Sequence, residues 1–324
     1  MEKIPENREK PKRKIGSREA YALAIAGAVG IGIASEPLKL YFGEMTGKSP
    51  AYESNWNEIK SKTGFDLQPI EKFARAKVER IGNKYVFHIA QLHGASSLEF
   101  TKKHYAEKGI PLSRLIDCQK EIEQAITYAK NSYGINKVYE EGVIPEDMPS
   151  YEKDLKELRE HPLETAEKMQ QKWSNRPTEG ENARLLQLFD NYTAFNLLVA
   201  EEGFKGTPKA EEVAQDPLIQ GDTRYVWGAS QLMAVRGEIT LLPAEDANAN
   251  SESNQYALTS PKGHYIRQAA ALKLIEANEK GKNDSVALVY GAAHDFANNI
   301  DDHNAATKSN WGLIRIDPHS CSKP

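Results

Sequence analysis

A chain of 324 residues can bury a large core without staples, so length excludes neither one large domain nor two ordinary ones. Hydrophobic residues at 40% and charged residues at 27% exclude disorder through most of the length, and a formal net charge of −4 with no basic stripe past the N-terminus excludes a nucleic-acid partner. Two cysteines, Cys118 and Cys321, exclude a disulfide framework and a thiolate zinc cluster, and they say little about compartment.

Lys10, Lys12, Arg13, Lys14 and Arg18 precede Ala20 to Ser35, a run without Asp, Glu, Lys or Arg. A basic segment followed by an apolar one reads as a signal peptide, or as an uncleaved anchor that associates the chain with a membrane. Residues 1–35 are assigned to it, and both readings put the rest of the chain outside the cytoplasm. The alternative is a buried helix of the domain itself, which would leave the protein cytoplasmic. Residues 36–79 read as a linker carrying a short helix around Trp56 to Lys60.

Lys84 to Leu92 is dense in β-formers and stops at His93-Gly94, the pattern of a buried strand. From Pro111 the period becomes helical, with Leu112, Leu115, Ile116, Ile122, Ile126 and Ala129 on one face and Gly134 as the stop. Ile135 to Tyr139 makes a second strand, running into Glu140-Glu141-Gly142. Residues 147–215 carry charges of both signs and an amphipathic stretch through Leu185, Leu188, Phe189, Tyr192 and Phe195, and read as a helical insertion. The strand pattern resumes over Gly237 to Leu242, followed by a helix over Tyr265 to Lys280. Ser285 to Tyr290 is an uninterrupted apolar strand, hence central, and Trp311 to Ile316 is the last. The expected fold is α/β over 80–320: a central, mostly parallel sheet flanked by helices, with a largely helical insertion between its halves.

In such sheets ligands collect at the carboxyl ends of the strands. Four strand ends carry titratable residues: Gln91 with His93, Glu140 with Glu141, Glu245 with Asp246, and His294 with Asp295. Alternation lets only one of Glu140 and Glu141 face a shared pocket. A lone histidine after a strand is ordinarily an exposed loop residue, but two at separate strand ends point to one polar site. Two imidazoles and a carboxylate suit either a divalent cation, held by His93, His294 and Glu141, or metal-free general-base chemistry. Arg267, Glu245, Asp246 and Asp295 are the candidate substrate-binding groups. His88, inside the first strand, reads as a core residue, and His264 and His319 have no evident partner. Asp301-Asp302-His303 reads as a solvated loop, with further metal ligands as the alternative.

Ile89-Ala90-Gln91-Leu92-His93-Gly94, Val138-Tyr139-Glu140-Glu141-Gly142 and Val289-Tyr290-Gly291-Ala292-Ala293-His294 resemble the motifs of the erythromycin esterase, ChaN-like and TraB/TIKI superfamily over about residues 84–317. The resemblance implies a hydrolase of peptide or ester bonds, metal-dependent in the TIKI branch through His93, His294 and Glu141 or Glu140, acting on a peptide or small-molecule substrate. The ChaN-like branch implies a haem- or ligand-binding protein instead. Ala90-Gln91-Leu92-His93 departs from all three branches, since the TraB/TIKI branch has Gly-Thr-x-His and the esterase and ChaN branches carry Glu in place of Gln91, and Gln91 favours binding over catalysis. A third expectation is a partner-binding protein acting through the helical insertion.

Overall fold

The computed structural model describes residues 54–92, 109–149, 225, 228–256, 260–279 and 284–322. The N-terminal segment, His93 and the helical insertion beyond residue 149 lie outside them, so the expectations placed there carry no structural description. No described helix is long and apolar enough to cross a membrane.

The fold is α/β, a six-stranded sheet with helices on both faces. In chain order its elements are α1 (Trp56–Thr63), β1 (Ala74–Arg80), β2 (Lys84–Gln91), α2 (Leu112–Tyr133), β3 (Lys137–Glu140), α3 (Ala229–Val235), β4 (Thr240–Pro243), α4 (Ala247–Ser253), α5 (Pro261–Glu279), β5 (Val286–Gly291), α6 (Ala297–Thr307), β6 (Trp311–Pro318) and α7 (His319–Ser322). The strand order is β1-β6-β2-β5-β3-β4. Only the β1–β6 pair is antiparallel, so β2 to β6 all end on one edge of the sheet.

Alternation sorts the strand residues onto two faces. Phe87, Ile89, Val138 and Val289 pack with Leu115, Ile122 and Ile126 of α2. Val86, Tyr139, Leu288, Tyr290, Trp311 and Leu313 pack with Leu272 and Ile275 of α5 and Ile300 of α6. β5 is buried along its whole length between β2 and β3, as its run of apolar residues requires. α2 ends where Gly134 takes a left-handed conformation at φ 71° and its N–H caps the helix.

The sheet extends further toward the N-terminus than the sequence suggested, because β1 lies inside the span read as linker. Its apolar side is only Ala74, Ala76 and Val78, alternating with Arg75, Lys77 and Glu79, as suits an edge strand with one face to water. Ile59, Leu67, Ile70 and Phe73 anchor the segment before it in the core. The segment read as a loop at Asp301–His303 belongs to α6 instead. Asp301 makes a forked pair with Arg80, Asp302 accepts from Tyr265, and His303 is buried 3.6 Å from Glu276.

Cys118 and Cys321 form a disulfide across 203 residues of sequence, tying α2 to α7. A single pair of cysteines gave the sequence no pairing pattern from which this could be read.

The β1–β2 turn is packed against the start of β6 so closely that a Cβ on Gly82 would sit 2.2 Å from the Gly312 nitrogen and 2.5 Å from the Asn310 oxygen. The obstruction is backbone on both sides and cannot rotate away. Gly82→Ala is therefore expected to lower unfolding stability by about 2–3 kcal/mol, the cost of overpacking a rigid site, as read from urea denaturation midpoints.

Candidate functional site

The carboxyl edge of the sheet gathers a polar cluster on the α5–α6 face. β3 ends in Glu140, so Tyr139 and Glu141 fall on this face while Val138 and Glu140 fall on the other. β4 runs through Ala244 to Glu245. β5 passes into a turn closed by the His294 N–H on the Gly291 carbonyl, 3.0 Å, which presents the His294 ring. Opposite them, α5 opens at Pro261 and aligns His264, Arg267 and Gln268 at i, i+3 and i+4 on one stripe.

Arg267 Nη2 lies 2.5 Å from Oε1 of Glu141 and 2.5 Å from Oε1 of Glu245. Their side chains are 5% and 1% exposed, against 20% for Arg267, so two buried carboxylates share one guanidinium that reaches toward solvent. The remaining valences are used as burial demands. The Gly291 N–H donates to Glu141 Oε2 at 2.6 Å, and the Tyr290 hydroxyl donates to Glu245 Oε1 at 2.6 Å. Burial, first of all, pushes the Tyr290 hydroxyl well above its ordinary value, so it stays a donor.

The protonation of His294 follows from Gln268. The Gln268 amide nitrogen donates to Asn299 Oδ1 at 2.6 Å and to the Asp295 carbonyl at 3.1 Å, and its oxygen accepts from the Asp295 N–H at 3.1 Å. That oxygen therefore accepts from His294 Nδ1 at 3.0 Å, which places the ring proton on Nδ1 and the lone pair on Nε2. Nε2 is buried, has no hydrogen-bond partner among the described residues, and lies 3.7 Å from Glu141 Oε1. Burial holds the His294 pKa well below its usual value, opposed by Glu141 and reinforced by Arg267, His264 and His88. At neutral pH the contact with Glu141 is therefore no ion pair. Tyr290 meets the ring edge-on at 4.6 Å, and His264 lies against it at 4.5 Å.

Arg315 fixes the turn from behind. Its Nη1 and Nη2 donate to the carbonyls of His294 (2.9 Å) and Ala292 (2.7 Å), while its Nε meets Asp317, two residues along the same face of β6.

Of the candidate residues, the structure brings together Glu141, Glu245, Arg267 and His294. It moves four others out. Glu140 faces the α2 side, where its Oε1 would lie 3.4 Å from a Cβ on Gly228. Gln91 alternates with Phe87 and Ile89 onto that same side and reaches the site only by its carbonyl, which accepts from the Ala292 N–H at 3.1 Å. Asp246 is the N-cap of α4, accepting from the Ala249 N–H (2.8 Å), and Asp295 stands just before the Phe296 cap of α6, accepting from the Ala297 N–H (3.0 Å). Asp246→Ala is accordingly expected to lower stability by about 1 kcal/mol and to leave ligand chemistry at Arg267 and His294 unchanged, as checked by parallel denaturation and binding measurements.

Sequence reasoning missed His264, Gln268, Tyr290 and Arg315. The first two were signalled by their spacing from Arg267, and Tyr290 by its alternation with Leu288. Arg315 sits in an otherwise apolar strand, a signal only if it is buried. Among the described residues no group of three His, Cys, Asp or Glu side chains is placed to hold a metal ion. Of the three residues expected to hold one, His294 and Glu141 lie together 3.7 Å apart and His93 is outside the described residues. No family model, no curated protein and no solved structure matches the chain.

Proposed function

We propose that the chain is an exported or membrane-anchored hydrolase of peptide or ester bonds, of the TraB/TIKI-like type, in which His294 activates water. The observation that carries this reading is the buried Nε2 lone pair of His294, held as a base and left without a hydrogen-bond partner among the described residues. A general base must be neutral before the step and tolerate the charge it gains. Burial supplies the first condition. Glu141, 3.7 Å from Nε2, supplies the second, because it favours the imidazolium formed when the water proton moves to that nitrogen. Gln268 keeps Nδ1–H in place throughout and so fixes which nitrogen receives the proton. Arg267, paired with Glu141 and more exposed than it, is able to orient a substrate carbonyl or carboxylate.

A divalent cation fits the same atoms through His294 Nε2 and Glu141, with His93 as the third ligand that the resemblance implies, and would lower the pKa of a bound water. The exported setting is supported by the Cys118–Cys321 bond, since disulfides persist in oxidising compartments.

The test measures turnover of a peptide library and of p-nitrophenyl esters by wild type, His294→Ala and His294→Gln, with and without added divalent cations. Both variants are expected to lose at least about a hundredfold in rate, the share of a positioned base. The wild-type rate should hold as pH falls through 6.5, because the base keeps its lone pair there. Variants that turn over at the wild-type rate would refute the role of His294. Absence of turnover together with a His294-dependent haem band would replace the hydrolase by a binding protein.

A further inference from the structure

We propose that the Cys118–Cys321 disulfide is a redox clamp on the His294 turn, so that its reduction exposes His294 and switches the site off. The bond lies on the opposite face of the sheet from His294, in the α2 cluster, yet the two are linked by short steps. Cys118 Sγ accepts from the Leu92 N–H at 3.4 Å, and the adjacent Gln119 donates to the Leu92 carbonyl at 3.0 Å, so two consecutive residues of α2 grip one residue at the end of β2. The preceding carbonyl, Gln91, accepts from the Ala292 N–H at 3.1 Å inside the turn that carries His294. From the other side the same turn is held by Arg315 of β6, whose chain continues directly into α7 and Cys321. The disulfide therefore joins α2, which backs the end of β2, to α7, the continuation of β6. α7 is also fastened to α2 by Ser320 to Glu121 and by Arg114 to the Ser320 carbonyl, both partly exposed, and to the segment before β1 by His319, which donates to the carbonyls of Phe73 and Glu71.

The chemistry is thiol–disulfide exchange with a dithiol. A thiolate attacks Cys321 Sγ, the less buried sulfur at 4% exposure against none for Cys118, and the S–S bond breaks with Cys118 leaving as a thiolate that takes a proton. The second thiol of the reductant attacks the mixed disulfide and releases Cys321, so two electrons and two protons pass to the protein and the dithiol becomes a disulfide. Without the bond, α7 and the start of α2 can separate, and Leu92 loses its fixed backing.

The loss of activity rests on the hydrolase reading, whereas the exposure of His294 does not, so the primary readout is chemical. The full chain is labelled with diethyl pyrocarbonate, which modifies accessible neutral imidazoles, in oxidised form, after dithiothreitol, and as Cys118→Ser/Cys321→Ser, with labelling located by peptide mass spectrometry. His303, buried near the amino end of β6, is the internal control. The expected result is at least a tenfold rise in His294 labelling in the reduced and variant forms, with His303 unchanged and the effect on reduced protein reversed by reoxidation. Unchanged labelling of both histidines would overturn the proposal. So would a parallel rise of both, which would make the bond a staple of the whole fold. A rise at His294 without any hydrolytic activity in the oxidised protein would keep the clamp and discard the hydrolase.

Discussion

Arg267→Met is expected to lower unfolding stability at pH 7 by about 3–5 kcal/mol, the cost of breaking a buried ion pair from one side. The variant retains side-chain length and apolar stem but removes the one nitrogen that Glu141 and Glu245 share, each at 2.5 Å. Two carboxylates that are almost fully buried would then face each other, with Gly291 N–H still on Glu141 and Tyr290 O–H still on Glu245. Desolvation and like charge both disfavour the ionised form there, so one of them would take a proton in the folded variant at a pH where the unfolded chain has lost it. The folded state then binds more protons than the unfolded one, and the deficit relative to wild type should shrink as pH is lowered from 7 toward 5. Urea titrations of both proteins across that range check the sign as well as the size. A deficit that stays constant with pH would mean that the carboxylates find another cation. Arg267→Lys should recover part of the loss, because an ammonium restores the charge without the planar fork.

The sheet was legible because its strands are short apolar runs punctuated by Gly and charge: Lys84 to Leu92, Ser285 to Tyr290 and Trp311 to Ile316 each match a strand closely. β1 was not, since an edge strand with one wetted face needs few apolar residues, and Ala74, Ala76 and Val78 give too weak a period. β4 shrank to Thr240–Pro243 because Gly237 adopts a left-handed turn conformation after α3, which absorbed the start of the expected strand. The site divided along the same line. Strand ends mark where titratable groups collect, and this located Glu141, Glu245 and His294. Adjacent residues in sequence, however, serve different ends. Glu140 differs from Glu141 only by pleat, and Asp246 and Asp295 follow Glu245 and His294 into positions where a helix begins and needs an acceptor. The residues that orient His294, namely Gln268 on α5 and Arg315 on β6, act through backbone and amide contacts that depend on tertiary placement.

Acid should destabilise the fold before its surface carboxylates titrate, and His88 is one reason. It is fully buried in β2, edge-on to Phe296 at 5.0 Å, with Arg315, Asp317 and Glu141 as its charged neighbours. Burial, and then Arg315, push its pKa down to about 3. The folded protein therefore keeps His88 neutral while the unfolded chain protonates it below about 6.5, so the unfolded state binds more protons and stability falls as pH drops. The contribution is complete above about 6.5, declines by about 1.4 kcal/mol per pH unit, and by pH 3 has cost nearly 5 kcal/mol. His294 and His303, both held below their usual values by burial, act in the same direction. Urea denaturation of wild type and His88→Leu at pH 7, 6, 5 and 4 isolates the effect. The variant's stability should fall less steeply by about 1.4 kcal/mol per unit below pH 6, whatever its offset at pH 7. Parallel slopes in the two proteins would show that His88 accepts its proton inside the fold, with Asp317 and Glu141 outweighing Arg315 and the loss of solvent. In that event the α5–α6 face would already carry an imidazolium, whose like charge would hold His294 neutral all the more firmly.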